Sequence, residues 1–210
     1  MLILGRIKAV NDFKIKALGL KYPIFESVQL DYFRRNDIVL TMDLLTIALI
    51  FIAAVLVFMV WSQAFGAPWI PTPHKTIRKM LKLARLKPGE ILYDLGCGDG
   101  RIIIDAAKDF GAMAVGIEID PVRYYWAKLS ILRLRLQDNA KVLFGNFFKS
   151  NLSKADVVTL YLLQETNVKL IKKLSDELKP GARIVTNTFT IPGWRAIRRD
   201  EQAKIYVYKI

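Results

Sequence analysis

Residues 91–101 read Ile-Leu-Tyr-Asp-Leu-Gly-Cys-Gly-Asp-Gly-Arg, and the reading of this stretch decides the fold. A short apolar run carries Asp94 at its end, glycines follow at 96, 98 and 100, and a helix-like segment comes next. Glycine permits a tight turn at positive φ and lets a ligand approach bare backbone. The amides that open the following helix suit an anionic or polar group. A second apolar run, Ala-Val-Gly-Ile-Glu-Ile-Asp over Ala114–Asp120, contains Glu118, 24 residues beyond Asp94. An acid at such a strand end, about 20 residues past a glycine turn, suits the hydroxyls of a ribose.

Outward from this core, helical and strand patterns alternate. Pro73–Arg85 places Ile77, Met80, Leu81 and Ala84 on one helical face, with Thr72 as the expected N-cap and Pro73 as first residue. Lys87-Pro88-Gly89 stops it. Strands are expected at Ile91–Asp94, Ala114–Glu118, Lys141–Phe144, Val157–Leu162, Arg183–Thr188 and Ile205–Ile210. Helices are expected over Gly100–Phe110, from Asp120-Pro121 to about Leu136, and over Thr166–Leu178. A βαβ succession of this kind predicts an α/β fold with a mostly parallel sheet covered by helices.

Before this domain lies Leu44–Trp61, 18 consecutive residues without a charge. An apolar helix of that length is expected to span a bilayer core of about 30 Å. The run lies far from Met1 and lacks a small-residue cleavage site, which argues against a signal peptide. Trp61 and Trp69 suit the interface beyond its end. The expected organisation is therefore residues 1–41, a single transmembrane anchor over 42–65, and a domain over 66–210. Residues 1–41 mix apolar and basic residues without a period. Two readings of them stand side by side: a basic arm on the membrane surface, or an extension of a reading frame whose start is Met42.

The 145 residues after position 65 suffice for one sizeable core. They hold 25 Lys+Arg against 14 Asp+Glu, most of the formal net charge of +13. Such a balance favours an acidic partner, and beside an anchor an anionic bilayer is the simplest one. Cys97 is the only cysteine, so no internal disulfide forms, and inside the glycine loop it reads as a small buried spacer. His74 is the only histidine, and no metal site is expected.

The glycines alternate as Gly96-x-Gly98-x-Gly100, whereas a dinucleotide fold wants Gly-x-Gly-x-x-Gly, and position 101 is Arg. Here the chain resembles the class I S-adenosylmethionine-dependent methyltransferases. Their first motif, an acid followed by three alternating glycines, matches Asp94–Gly100, and their acid after the second strand matches Glu118. Their position after the third strand, near adenine, falls on Asn146. The resemblance, covering about residues 68–210, implies a Rossmann-like seven-stranded sheet. It implies a cofactor site built from Thr72, Asp94, Gly96, Cys97, Gly98, Gly100, Glu118, Asn146 and Phe147, with S-adenosylmethionine as cofactor. The Glu118 carboxylate is expected to pair with two ribose hydroxyls, so that Glu118→Ala weakens cofactor binding and leaves the fold intact.

Three further stretches sharpen the likeness: Pro68-Trp69-Ile70-Pro71-Thr72-Pro73, Gly145-Asn146-Phe147-Phe148 and Ile191-Pro192-Gly193-Trp194. Together they resemble the small protein-lysine methyltransferases of archaea and, with a membrane anchor, of mitochondria. The implied acceptor is a lysine amine of a protein, on a membrane-associated substrate, with the domain on the cytoplasmic or matrix side. Methyl transfer is an in-line displacement that needs alignment more than acid or metal help. An apolar slot lowers the pKa of a lysine, ordinarily about 10.4, by desolvation, and aromatic faces attract cations. Tyr161, Phe147 and Trp194 follow the third to fifth strands, where such folds bind ligands, and are the expected substrate slot. Each also suits an ordinary core.

Rival readings differ in what they require. A nucleic-acid amino methyltransferase often carries Asn/Asp-Pro-Pro-aromatic after the fourth strand, where this chain has Tyr161-Leu162-Leu163-Gln164, although the basic charge suits nucleic acid. A lipid or quinone methyltransferase needs a deep apolar tunnel. The non-enzyme reading is a membrane-tethered module that keeps the cofactor fold without turnover; the intact Asp94, Gly96, Gly98, Gly100 and Glu118 argue against decay of the site.

Overall fold

The computed structural model describes residues 43–64 and 70–210, with side chains for 43–57 and 70–210. The readings of residues 1–41, and of Trp61 and Trp69 as interfacial side chains, lie outside what is described. The chain divides into two units, Met1–Phe58 and Met59–Ile210.

Helix α1 runs over Leu44–Ala64, 21 residues without a charged side chain. Asp43 caps it, its Oδ1 accepting from Thr46 N at 2.7 Å. The expected membrane span is not established here: among the described residues no helix is long and apolar enough to cross a membrane.

The second unit is built on one seven-stranded sheet. Its elements are α2 (His74–Leu83), β1 (Ile91–Leu95), α3 (Arg101–Phe110), β2 (Met113–Glu118), α4 (Pro121–Arg133), β3 (Ala140–Phe144), β4 (Val157–Leu160), α5 (Gln164–Glu177), β5 (Arg183–Asn187), β6 (Arg198–Asp200) and β7 (Ile205–Lys209). The strand order is β3-β2-β1-β4-β5-β7-β6. The first five are parallel, whereas β7 runs antiparallel between β5 and β6. The predicted Rossmann-like α/β architecture is therefore present.

Both faces of the sheet are covered, which is why the central strands read as apolar runs rather than alternating ones. One core joins Ile77, Met80 and Leu81 of α2 and Ile103 of α3 to Leu92, Ala114, Val157 and Val185. The other joins Leu170 and Leu174 of α5 to Leu95, Ile117, Leu160, Ile184 and Tyr208. The sheet reverses direction of growth between β1 and β4, and ligands of such folds bind outside the strand carboxyl ends at that point.

Two local expectations are corrected. Thr72 is not the cap of α2: Pro73 holds that position at ψ 141°, without a side-chain cap bond. Thr72 is instead buried, and its carbonyl accepts from Arg101 Nη1 at 3.1 Å. Strand β6 escaped the reading because Arg-Arg-Asp is three charged residues with no alternation, on the sheet edge where only one neighbour is needed.

Candidate functional site

At the carboxyl ends of β1 and β4 lies a cavity of about 460 Å³. The loop after β1 forms its floor. Gly96, Gly98 and Gly100 lie at φ 80°, 57° and 81°, a left-handed run that side chains rarely adopt. The loop is pinned to the end of β2: the amides of Gly96 and Cys97 both donate to Ile117 O, at 2.9 and 3.1 Å. Gly98 N donates to Glu118 Oε2 at 2.8 Å, Gly100 N to Cys97 O at 2.9 Å and Arg101 N to Asp99 Oδ1 at 3.3 Å. These amides are thus committed within the protein. The loop itself offers shape and bare Cα faces.

Gly116 explains how the loop lies so close to β2. A Cβ there would stand 2.5 Å from Cys97 Sγ and 2.8 Å from Cys97 Cβ, too near for any real side chain. Sequence reasoning passed over this glycine because its need arises from a neighbouring loop, not from its own turn. Cys97 is buried, and its burial pushes the thiol pKa well up. It is a spacer without thiolate character.

Glu118 is almost fully buried. Its Oε2 accepts from Gly98 N, and its Oε1 accepts from Ile119 N at 3.0 Å and Asp120 N at 2.9 Å. A carboxylate has about four acceptor sites, so roughly one, on Oε2, is left for a ligand. The expected pair of ribose hydroxyls thus competes with backbone donors already in place, and the carboxylate also ties the glycine loop to the start of α4.

Asp94 is buried at the rear. Its Oδ1 accepts from Thr159 Oγ1 at 2.6 Å, while Oδ2 has no hydrogen-bond partner. Burial pushes its pKa up to about 7; the Thr159 hydroxyl opposes this, and the charges of Glu118 and Asp99 add to it. The arginines of the cavity wall are ion-paired, Arg101 to Asp99 at 2.6 Å and Arg123 to Asp120 at 3.8 Å. The cavity therefore presents a buried acceptor with no partner inside an otherwise basic domain, a setting that suits a cationic group.

The cavity brings together Thr72, Asp94, Gly96, Cys97, Gly98, Glu118, Asn146, Phe147 and Tyr161. Gly100 stands outside it as the N-cap of α3, where a Cβ would lie 3.0 Å from that of Ala127. Asn146 caps the short 3₁₀ turn Phe147–Lys149, its side chain accepting from Phe148 N at 2.9 Å. Trp194, expected in the substrate slot, is not among the residues lining this cavity. Its ring meets Tyr208 edge-on at 6.2 Å and packs on the second core, so it anchors the loop after β5 rather than forming a slot.

Other residues at or near the wall were missed. Arg101 reaches Thr72 O and so holds the Ile70–Thr72 segment against the cavity. His74 pairs with Asp105, Nδ1 to Oδ2 at 2.8 Å, securing the start of α2. Thr188 adopts φ 70°, an outlier for a β-branched residue, at the cavity wall beside Phe189. Composition carries no signal for such a conformation.

Comparison with known proteins agrees with this geometry. The sequence model described as ANTKMT methyltransferase domain matches residues 94–198, half of the chain. A protein-lysine N-methyltransferase of Saccharolobus islandicus is 48% identical over 128 residues, 60% of this chain and 80% of that protein. The adenine nucleotide translocase lysine N-methyltransferase of Mus musculus is 29% identical over 145 residues, 68% of this chain; the match spans 63% of that protein, less than two thirds of its length. Among solved structures, an RNA methyltransferase from Salinibacter ruber in complex with S-adenosyl-L-homocysteine superposes with a TM-score of 0.65 at 39% identity. It covers 67% of this chain and 94% of its own. The partnerless Asp94 Oδ2, the remaining acceptor of Glu118 and the aromatic wall fit S-adenosylmethionine, with its ammonium, ribose and adenine. The chain belongs to the ANTKMT methyltransferase domain family, within the class I S-adenosylmethionine-dependent methyltransferases.

Proposed function

We propose that this chain transfers methyl groups from S-adenosylmethionine to lysine amines of proteins, and that α1 holds it at a membrane. One observation carries the acceptor: the 48% identity, over 128 residues, to a protein named as a protein-lysine N-methyltransferase. The chemistry of the wall supports it. Phe147, Phe148, Tyr161 and Phe189 surround the space that an unbranched amine would enter. Aromatic faces attract an ammonium, and exclusion of water lowers its pKa.

When bound, S-adenosylmethionine supplies an electrophilic methyl carbon. The protein's own part is alignment. Asp94 Oδ2 would accept from a cationic donor group at the rear, Glu118 Oε2 would take a hydroxyl, and Asn146 with Phe147 would border a planar base. The aromatic wall would shed water from the lysine amine, which, once its proton has passed to solvent, would be held as a neutral nitrogen facing the methyl group the cofactor supplies. No Asp-His or Cys-His pair stands in the wall among the described residues, and positioning alone supplies many kcal/mol in such reactions, roughly 7–11 at best.

The anchor rests on sequence: no Asp, Glu, Lys or Arg occurs between Asp43 and Lys75. The domain would then face the compartment where S-adenosylmethionine is made, cytoplasm or matrix. Protease added outside sealed cells or organelles should leave residues 72–210 intact; digestion would reverse that orientation. The likeness to an RNA methyltransferase and the basic charge favour a second reading, methylation of nucleic acid. Membranes and RNA incubated with labelled S-adenosylmethionine separate the two. Label in protein, recovered as methyl-lysine, supports the proposal; label in RNA or lipid overturns the acceptor and leaves the cofactor assignment standing.

A further inference from the structure

Helix α4 presents a face that the fold does not use. Towards the sheet it buries Ala127 and Ile131. On the other side Val122, Tyr125, Trp126, Leu129 and Leu132 are 58%, 66%, 63%, 63% and 57% exposed. At about 100° per residue these five fall within an arc about 120° wide, opposite the buried pair. Such a stripe ordinarily faces a core; here it faces outward. The apolar surface continues onto the edge strand β3, where Leu143 and Phe144 are exposed and Phe144 meets Tyr124 edge-on at 5.5 Å.

The charged side chains of α4 itself are all basic. No acid occurs from Pro121 through Gln137, while Arg123, Lys128, Arg133 and Arg135 do. Arg123 pairs with Asp120, and Lys128 lies 5.9 Å from the Tyr124 ring centre. Lys128 is exposed beside the stripe, Arg133 is exposed within its arc at the last turn of the helix, and Arg135 is exposed just beyond the helix end. An outward arc of Trp, Tyr and Leu rimmed by Lys and Arg is the composition of a helix that lies in a bilayer interface, where aromatic rings sit at headgroup level.

We propose that this face of α4, with the β3 edge, docks on a bilayer surface rich in anionic lipid. Charge complementarity selects that occupant. A second copy would bring the same cations against themselves. The segment 1–42 of this chain carries seven Lys+Arg against four Asp+Glu, so it is repelled as well. The docking presupposes the membrane setting proposed for α1 but is independent of the acceptor. Because α4 begins at the carboxyl end of β2, beside the cavity wall residues Ile119 and Arg123, a docked α4 would set the distance between cavity and bilayer.

The test uses the full chain in vesicles of phosphatidylcholine alone or with phosphatidylserine. Cys97 is buried, so a spin label can be placed selectively by Leu129→Cys, and by Lys172→Cys on α5 as a control for an exposed face. The Leu129→Cys label should lose accessibility to a water-soluble relaxant and gain it to oxygen only with phosphatidylserine, while the control stays in water. Lys128→Gln with Arg133→Gln should lower the ratio of docked to undocked protein by roughly 25-fold, about fivefold per cation. A chain that floats with vesicles while the Leu129→Cys label stays in water overturns the docking and leaves the anchor. A chain that does not float at all overturns both. Protection that appears without lipid and grows with protein concentration assigns the face to a second copy, and protection only on adding another protein assigns it to a protein partner; either overturns the proposal.

Discussion

Glu118→Ala is the substitution for which structure and sequence disagree most usefully. Taken as a ligand-binding acid alone, Glu118 should be replaceable without harm to the fold. The structure gives its carboxylate three backbone donors, from Gly98, Ile119 and Asp120, at 2.8, 3.0 and 2.9 Å. Removal leaves those N–H groups without an acceptor, at about 1–3 kcal/mol each. Glu118 borders an open cavity, so water can reach part of the gap and the lower end applies. The expected loss is about 3 kcal/mol, a substantial part of the 5–15 kcal/mol that typically holds a domain folded. Glu118→Gln keeps one acceptor oxygen and should lose about half as much. Urea unfolding followed by tryptophan fluorescence reads the stability, and calorimetry with S-adenosylhomocysteine reads the site. Affinity should fall about tenfold or more for both variants, since a bond to a charged group contributes roughly 1.5–3 kcal/mol. An Ala variant that unfolds at the parent's midpoint refutes the structural role, and one that also keeps its affinity removes Glu118 from the site.

Three further outcomes are expected. Gly116→Ala should cost about 1–3 kcal/mol by forcing the glycine loop off β2, and Cys97→Gly should recover part of it in a double-mutant cycle; additivity of the two would show that they do not touch. Asp94 titrates near 7 in the folded protein and near 3.9 when unfolded. Its contribution to stability is therefore full below about pH 4 and is lost as pH rises towards about 7, whereas affinity for a ligand bearing an ammonium should rise through the same range as the carboxylate forms. Calorimetry across pH checks this, with Asp94→Asn expected to flatten the affinity profile. Trp194→Leu should lower the unfolding midpoint while leaving S-adenosylhomocysteine affinity unchanged, because its contacts are with Tyr208 and the second core; a loss of affinity in a stable variant would return Trp194 to the site.

What the sequence by itself determined is the part encoded over short distances. The alternation of apolar strands with amphipathic helices set the α/β class. Asp94, the three glycines and Glu118 lie within one βαβ unit, so the family resemblance that pointed to the cofactor could be read from them. Tyr161 and Phe147 were reachable because residues just after parallel strands gather at one end of the sheet. The tertiary structure decided whatever depends on residues distant in the chain. The need for Gly116 comes from the sulfur of Cys97, and the second duty of Glu118 comes from the amides of a loop 20 residues earlier. Arg101 acts on a carbonyl 29 residues before it. Trp194 was assigned to the cavity by its place after β5, but packing drew it towards Tyr208 instead. The outward stripe of α4 was invisible for the same reason: its pattern is that of a buried helix, and only the position of the sheet shows which side has been left facing out.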